Sequence, residues 1–304
     1  MPGALGIGAP PPCGITDWAL SPCEKAWRFA LIRPPQRPAI MGILNLTPDS
    51  FSDGGLHDDP AAALTRARRL ITQGADILDL GGESTRPGAE PVPAEAEIAR
   101  VVPVIAALAR EGAPPLSVDT MKPAVAQAAV AAGAVIWNDV TALRFAPEAP
   151  DVAAELGCQV VLMHMQGEPR TMQAAPRYDD VIAEVCAFLL ARADAALAAG
   201  VAREKIWLDP GIGFGKTLEH NLTLLAHLDR ICALGFPVLL GASRKRFIAA
   251  LHPAAEAPDA RAPGSIAAAL AGAEAGVAAV RVHDVGDTAQ ALDVWAAIRA
   301  AYRP

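Results

Sequence analysis

The sequence predicts an α/β chain that closes into a single (β/α)8 TIM barrel, and three observations carry that expectation. Eight short apolar runs alternate with segments of helical period. The runs show little polar alternation, as expected of strands buried on both faces of a parallel sheet. Several stop at a polar residue that opens a turn and then a helical pattern, which is where an α/β fold gathers its chemistry.

Taken in order, residues 1–37 are rich in proline and glycine and lead through Arg33-Pro-Pro-Gln-Arg-Pro38, so they read as an irregular N-terminal extension with a short strand at Trp27–Ile32. The barrel domain is expected over 38–304. Its strand candidates are Ala39–Leu46, Asp76–Leu80, Pro115–Val118, Ala134–Trp137, Gln159–Met163, Lys205–Leu208, Pro237–Leu240 and Ala278–Val282. Between them, Ile98, Val101, Val102, Ile105 and Leu108 share one helical face, and Val181, Val185, Phe188 and Leu189 share another. Gly112 and Gly200 are expected to end these two helices, and Asp179 or Asp180 to cap the start of the second. A length of 304 residues allows two domains, but α/β barrels routinely occupy about 250 residues as one unit.

Composition narrows the classes. With 52% hydrophobic and 19% charged residues and no apolar run long enough to span a bilayer, the chain reads as a soluble enzyme-like domain. Met1–Leu20 is broken by prolines and lacks a basic start, so it is a poor secretory signal and a cytoplasmic location is expected. Five scattered cysteines without a C-x-x-C pair argue for reduced thiols. A formal net charge of −7 disfavours general nucleic-acid binding, so a phosphate ligand would have to be held by a local basic cluster.

The chemistry is concentrated at strand ends. Asn45-Leu-Thr-Pro-Asp-Ser-Phe51-Ser-Asp53-Gly-Gly55 and Gly81-Gly-Glu83-Ser-Thr85-Arg86-Pro87-Gly88 are polar, glycine-bounded loops on the same lip, placed to cover a substrate. Asp119, Asn138 and Asp209 end three different strands, and a barrel would aim all three into one cavity. Two carboxylates and a carboxamide can read a flat heterocycle through its ring N–H and amino groups. Ser243-Arg244-Lys245-Arg246 puts three cations after the seventh strand, while Arg281 and His283 leave the eighth two residues apart and so share a face. These strands neighbour the phosphate site of a barrel. The glycine turn that ends in Gly215-Lys216-Thr217 is not a nucleotide phosphate loop, because the position of its first glycine is Pro210, with fixed φ and no N–H. His164, alone between two methionines, reads as structural, and no zinc-ligand spacing occurs.

Together these motifs, with Met163-His-Met-Gln-Gly167 and Arg281-Val-His-Asp284, resemble the dihydropteroate synthase family of pterin-binding barrels from about Ala39 to the C-terminus. The resemblance implies condensation of 6-hydroxymethyl-7,8-dihydropterin diphosphate with 4-aminobenzoate, giving 7,8-dihydropteroate and diphosphate. It implies that Asp119, Asn138, Asp209 and Lys245 hold the pterin. Asn45, Arg281 and His283, with Mg2+, would hold the diphosphate, and Thr85 would add a hydroxyl contact. Phe51, Pro87 and Ser243 would flank the aminobenzoate, and Asp53 and Arg86 would act from the loops. A homodimer is implied as well. Two readings compete: a methyltetrahydrofolate methyltransferase type of pterin barrel, which has no diphosphate to hold, and a catalytically silent paralogue, which would show losses among these residues.

Overall fold

The computed structural model describes residues 37–47, 60–84, 90–167 and 171–301. The eight expected strands are β1 Ala39–Asn45, β2 Ile77–Gly81, β3 Leu116–Asp119, β4 Ile136–Asp139, β5 Gln159–Met163, β6 Ile206–Asp209, β7 Leu239–Leu240 and β8 Ala279–Val282. All are parallel, in the order β6-β5-β4-β3-β2-β1-β8-β7, and the bridge between Leu208 and Val238 closes β7 back onto β6. Around them run α1 Pro60–Thr72, α2 Ala94–Arg110, α3 Pro123–Ala132, α4 Ala149–Leu156, α5 Val181–Ala198, α6 Leu218–Ala226, α7 Leu228–Cys232, α8 Arg246–Leu251, α9 Ala262–Ala275 and α10 Val285–Ala301.

Several strands run one or two residues beyond their expected ends, through Gly81, Asp119, Asp139 and Asp209. A polar side chain stops the apolar pattern, but its backbone still pairs in the ladder. β7 is shorter than expected. Pro237 has no N–H to offer, although its carbonyl accepts from the Leu208 N–H at 2.9 Å.

The two-residue period sorts each strand. Ile40, Leu44, Leu78, Leu80, Val118, Trp137, Val160, Leu162 and Leu208 point outward and join the buried layer between sheet and helices. The alternate positions face the barrel axis, and among them are Asp79, Asp119, Asn138, Asp209 and Arg281. Each fully buried leucine, isoleucine or valine of the outer layer contributes about 1.5–3 kcal/mol relative to exposure, so this layer fixes which residues are left to face inward.

Ends and caps follow the expected chemistry. Asp180 caps α5, its Oδ1 accepting from the Ile182 and Ala183 N–H groups at 3.0 Å each, and Gly112 and Gly200 follow α2 and α5 with φ of 70° and 103°. At the amino-terminal rim Arg37 donates to Asp76 and Asp293, both at 2.8 Å, and Asp76 accepts from the Ile40 N–H, so the entry into β1 is pinned. The rest of the expected extension, including Trp27–Ile32, lies outside the described residues. Among the described residues no helix is long and apolar enough to cross a membrane, and Cys186 and Cys232 are free thiols.

Candidate active site

At the carboxyl-terminal end of the barrel a pocket of about 350 Å³, open at its mouth, is lined by Asp119, Asn138, Asp209, Lys245, Arg281, Val140, Met163, Phe214, Gly211 and Gly241. Strand register sets Asp119 beside Asn138 and Met163 beside Asp209. The three strand-end residues expected to read a flat heterocycle, two carboxylates and a carboxamide, converge there with the Lys245 ammonium from the turn after β7. Val140, Met163 and Phe214 supply apolar walls, and the Lys245 Nζ stands 4.0 Å from the centre of the Phe214 ring.

Behind this wall lies an ion network. Arg281 donates from Nε to Asp79 at 2.5 Å and from Nη2 to Asp119 at 2.6 Å, while Asn138 donates to Asp79 at 3.2 Å. Burial pushes the Asp119 carboxyl up to about 7 against the pull of Arg281. Asp209 is also raised by burial, opposed by the Gly211 N–H, which donates to its Oδ1 at 2.7 Å, and by Lys245. Burial and the neighbouring Arg281 bring Lys245 down to about 8. Burial works against the Arg281 charge, but Asp79 and Asp119 hold it above its usual range. The pocket is thus a polarised cleft in which burial shifts Asp119, Asp209 and Lys245 toward their neutral forms, a property typical of functional sites.

Sequence comparison agrees with this geometry. The family model described as pterin binding enzyme matches residues 41–283. A dihydropteroate synthase of Neisseria meningitidis serogroup C is 50% identical over 265 residues, covering 86% of this chain and 93% of its own length. The chain belongs to the dihydropteroate synthases, within the pterin-binding enzymes. Among solved dihydropteroate synthases, that of Xanthomonas albilineans with 4-aminobenzoic acid is 54% identical, with a TM-score of 0.82 and 88% and 94% of the two chains covered. That of Yersinia pestis in a sulfonamide drug complex is 46% identical, with a TM-score of 0.83 and 87% and 95% covered. Membership of the dihydropteroate synthases displaces the methyltransferase reading.

Within this dihydropteroate synthase, the expected cluster of three cations after β7 needs correction. Lys245 alone of the three lines the pocket. Arg244 takes a left-handed backbone (φ 58°) and turns its guanidinium to Asp284, at 2.5 and 3.0 Å, and to Asp259. Arg246 starts α8 and is exposed. Ser243 and His283 form a pair, with Oγ and Nδ1 at 3.0 Å, beside the pocket, and burial with the adjacent Arg281 lowers the imidazole to about 3, so His283 is neutral. Asn45 ends β1 opposite Gly81, where an added Cβ would meet both the Asn45 Oδ1 at 3.8 Å and the Asp119 Oδ2 at 3.7 Å. Gly81 therefore keeps the space between them open. Phe51, Asp53, Thr85, Arg86 and Pro87 lie outside the described residues.

The sequence reading missed Asp79, which is fully buried in mid-strand and holds both Arg281 and Asn138. A carboxylate inside Ile77-Leu-Asp-Leu-Gly81 was the available signal, since a charge buried among leucines requires a partner. Asp139 has a local task. It accepts from the Thr141 N–H and hydroxyl and from the Leu143 N–H, at 2.7–2.8 Å, and so holds Ala142 and Leu143 in left-handed backbone, behind the Val140 wall.

Proposed function

We propose that this dihydropteroate synthase joins 6-hydroxymethyl-7,8-dihydropterin diphosphate to 4-aminobenzoate at the described pocket, releasing 7,8-dihydropteroate and diphosphate. The observation that supports it is the convergence of Asp119, Asn138, Asp209 and Lys245 on one apolar-walled cleft. The carboxylates accept from the pterin's ring N–H and amino groups, the carboxamide both donates and accepts, and Lys245 donates to the pterin carbonyl. Arg281, with Nε and Nη2 committed to Asp79 and Asp119, presents its remaining edge to the diphosphate. His283, neutral and paired with Ser243, adds a ring N–H on the same side. Thr85, Asp53 and Arg86 act from the loops, and Phe51, Pro87 and Ser243 flank the aromatic acid.

The reaction breaks the bond between the pterin methylene and the diphosphate oxygen, and the electron pair leaves with diphosphate. The aniline nitrogen then gives its lone pair to the methylene carbon and loses a proton to solvent. A dissociative order suits the pocket, because Asp119 and Asp209 stand beside an electron-rich ring that becomes cationic. Asn45 fits an Mg2+ that is held mainly by diphosphate oxygens and water, since it offers one hard oxygen and no cluster of three or more His, Cys, Asp or Glu exists among the described residues. Such an ion would neutralise charge on the leaving diphosphate. The same reading takes the enzyme to be a cytoplasmic homodimer; sedimentation at micromolar concentration tests the dimer.

The direct experiment is diphosphate release that depends on both substrates, paired with calorimetry on variants. Asp209→Asn and Lys245→Ala are each expected to weaken pterin binding by one to two decades, the ~1.5–3 kcal/mol of a hydrogen bond to a charged group, without loss of fold. Wild-type affinity in a folded variant removes that residue from the pocket.

Binding should also peak between about pH 7 and 8. Protonating Asp119 below about 7 removes an acceptor, and discharging Lys245 above about 8 removes a donor, so each limb falls as its group loses the binding form. Calorimetry from acid to alkaline pH checks this, and Asp119→Asn should flatten the acid limb. A flat wild-type profile would contradict the assignment. Sulfonamides should compete with 4-aminobenzoate in initial-rate kinetics; a purely noncompetitive pattern would place them elsewhere.

A further inference from the structure

We propose that Lys216, together with His164, is a positioning residue for the pterin site, setting the place of Phe214 and, through its ring, of the Lys245 ammonium. The inference rests on the pterin-pocket reading above. Lys216 does not line the pocket, yet it is only 3% exposed. Its Nζ donates to the carbonyls of Gly211 and Phe214, both at 3.0 Å, and meets the His164 Nδ1 at 2.9 Å. An ammonium has three N–H groups and no lone pair, and with the His164 carbonyl also at 3.4 Å its whole donor capacity is used. With Lys216 as the ammonium, His164 accepts at Nδ1 and carries its proton on Nε2; burial holds the imidazole neutral and brings Lys216 down to about 7.

The turn that Lys216 grips is rich in glycine and is held as well by the Phe214 N–H on the Gly211 carbonyl at 3.1 Å and the Gly213 N–H on the Asn221 Oδ1 at 2.7 Å. Gly211, Gly213 and Gly215 have φ of 66°, 82° and 60°, a region where glycine gives up the most conformational freedom on ordering. It lies against the β5 segment with backbone on backbone: a Cβ at Gly215 would come within 2.4 Å of the Gln166 carbonyl oxygen. Lys216 ties the two segments together from inside, and Phe214 is the residue whose carbonyl it holds and whose ring faces Lys245. His164 is fixed in turn, with its ring edge-on to Phe188 at 4.8 Å between centroids.

A buried ammonium could instead serve stability alone, so the test separates the two roles. In Lys216→Met the dissociation constant for 6-hydroxymethylpterin and the KM for pterin diphosphate should rise about tenfold, as expected of a small displacement of binding groups. The KM for 4-aminobenzoate should stay within about twofold, since the turn faces the pterin. His164→Asn keeps an acceptor near the Nδ1 position and should stay near wild type, whereas His164→Leu should match Lys216→Met. If Lys216→Met does not fold, the two His164 variants decide. Unchanged pterin affinity in folded Lys216→Met, an equal rise in both KM values, or equal loss in His164→Asn and His164→Leu would overturn the proposal. Asp209→Asn serves as reference. If it too binds pterin normally, the pocket reading has failed; if it alone loses affinity, only the positioning role has failed.

Discussion

Arg281→Met is expected to cost about 3–5 kcal/mol of stability at pH 8, the loss seen when one partner of a buried ion pair is removed. Methionine keeps the bulk and deletes two charge-assisted hydrogen bonds, leaving Asp79 and Asp119 facing each other's charge inside the barrel. The sign of the pH dependence follows from Asp119. Burial already raises it to about 7, above the ordinary carboxylate value, and without Arg281 it rises further. A carboxyl group whose folded pKa is raised destabilises the protein once pH exceeds its unfolded value, and the penalty grows until the folded pKa is reached. Acidification toward pH 5 should therefore narrow the gap between variant and wild type. Urea unfolding at pH 8 and pH 5 measures it. A constant difference at both values, or one under about 1 kcal/mol at pH 8, would mean that the guanidinium is not neutralising buried charge.

Gly211→Ala should be comparably severe for a different reason. A Cβ there would sit 1.9 Å from the His164 carbonyl oxygen and 3.0 Å from its carbon, and the residue's φ is 66°. Left-handed backbone alone costs a side chain about 1–2 kcal/mol. The overlap with backbone must be added, because the His164 N–H is held by the Asp209 carbonyl at 2.9 Å and the strand cannot simply yield. A loss above about 4 kcal/mol, or no folded protein, is expected. Gly276→Ala is the control: its φ is 89°, but an added Cβ meets nothing within 4 Å, so only the backbone strain remains. Thermal melts of both variants make the comparison. Equal shifts would show that the crowding at Gly211 relaxes at little cost.

How much of this was readable in advance depended on where each residue stood in its strand. Asp119, Asn138 and Asp209 announced themselves because each breaks an apolar run at its carboxyl end, where the barrel must open. Asp79 did not, because it interrupts a run in the middle and its meaning comes from Arg281, 202 residues away. The charge run at 244–246 was visible as charge but not as direction: a left-handed residue at Arg244 sends consecutive side chains to different partners, and no periodicity encodes that. In the sequence Lys216 reads only as the end of a glycine turn that resembles a phosphate loop. The exclusion stands, but a lysine in a glycine turn can equally be the group that orders the turn. Asp180, Gly112 and Gly200 were legible because caps are local chemistry. The short β7 was not, because its length reflects pairing with a neighbour distant in sequence.

That short strand bears on how the enzyme takes up its ligand. β6 and β7 meet through a single bridge, Leu208 with Val238, while every other neighbouring pair shares a ladder of two or more registered residues. The barrel therefore has a seam, and its two lips lead to Asp209 on one side and Lys245 on the other. A molecule gripped by both residues stitches that seam, adding noncovalent rungs where the sheet has fewest. Amide hydrogens around Val238 to Leu240 would exchange more slowly in its presence, and the wall of the barrel would become continuous when the pocket is filled.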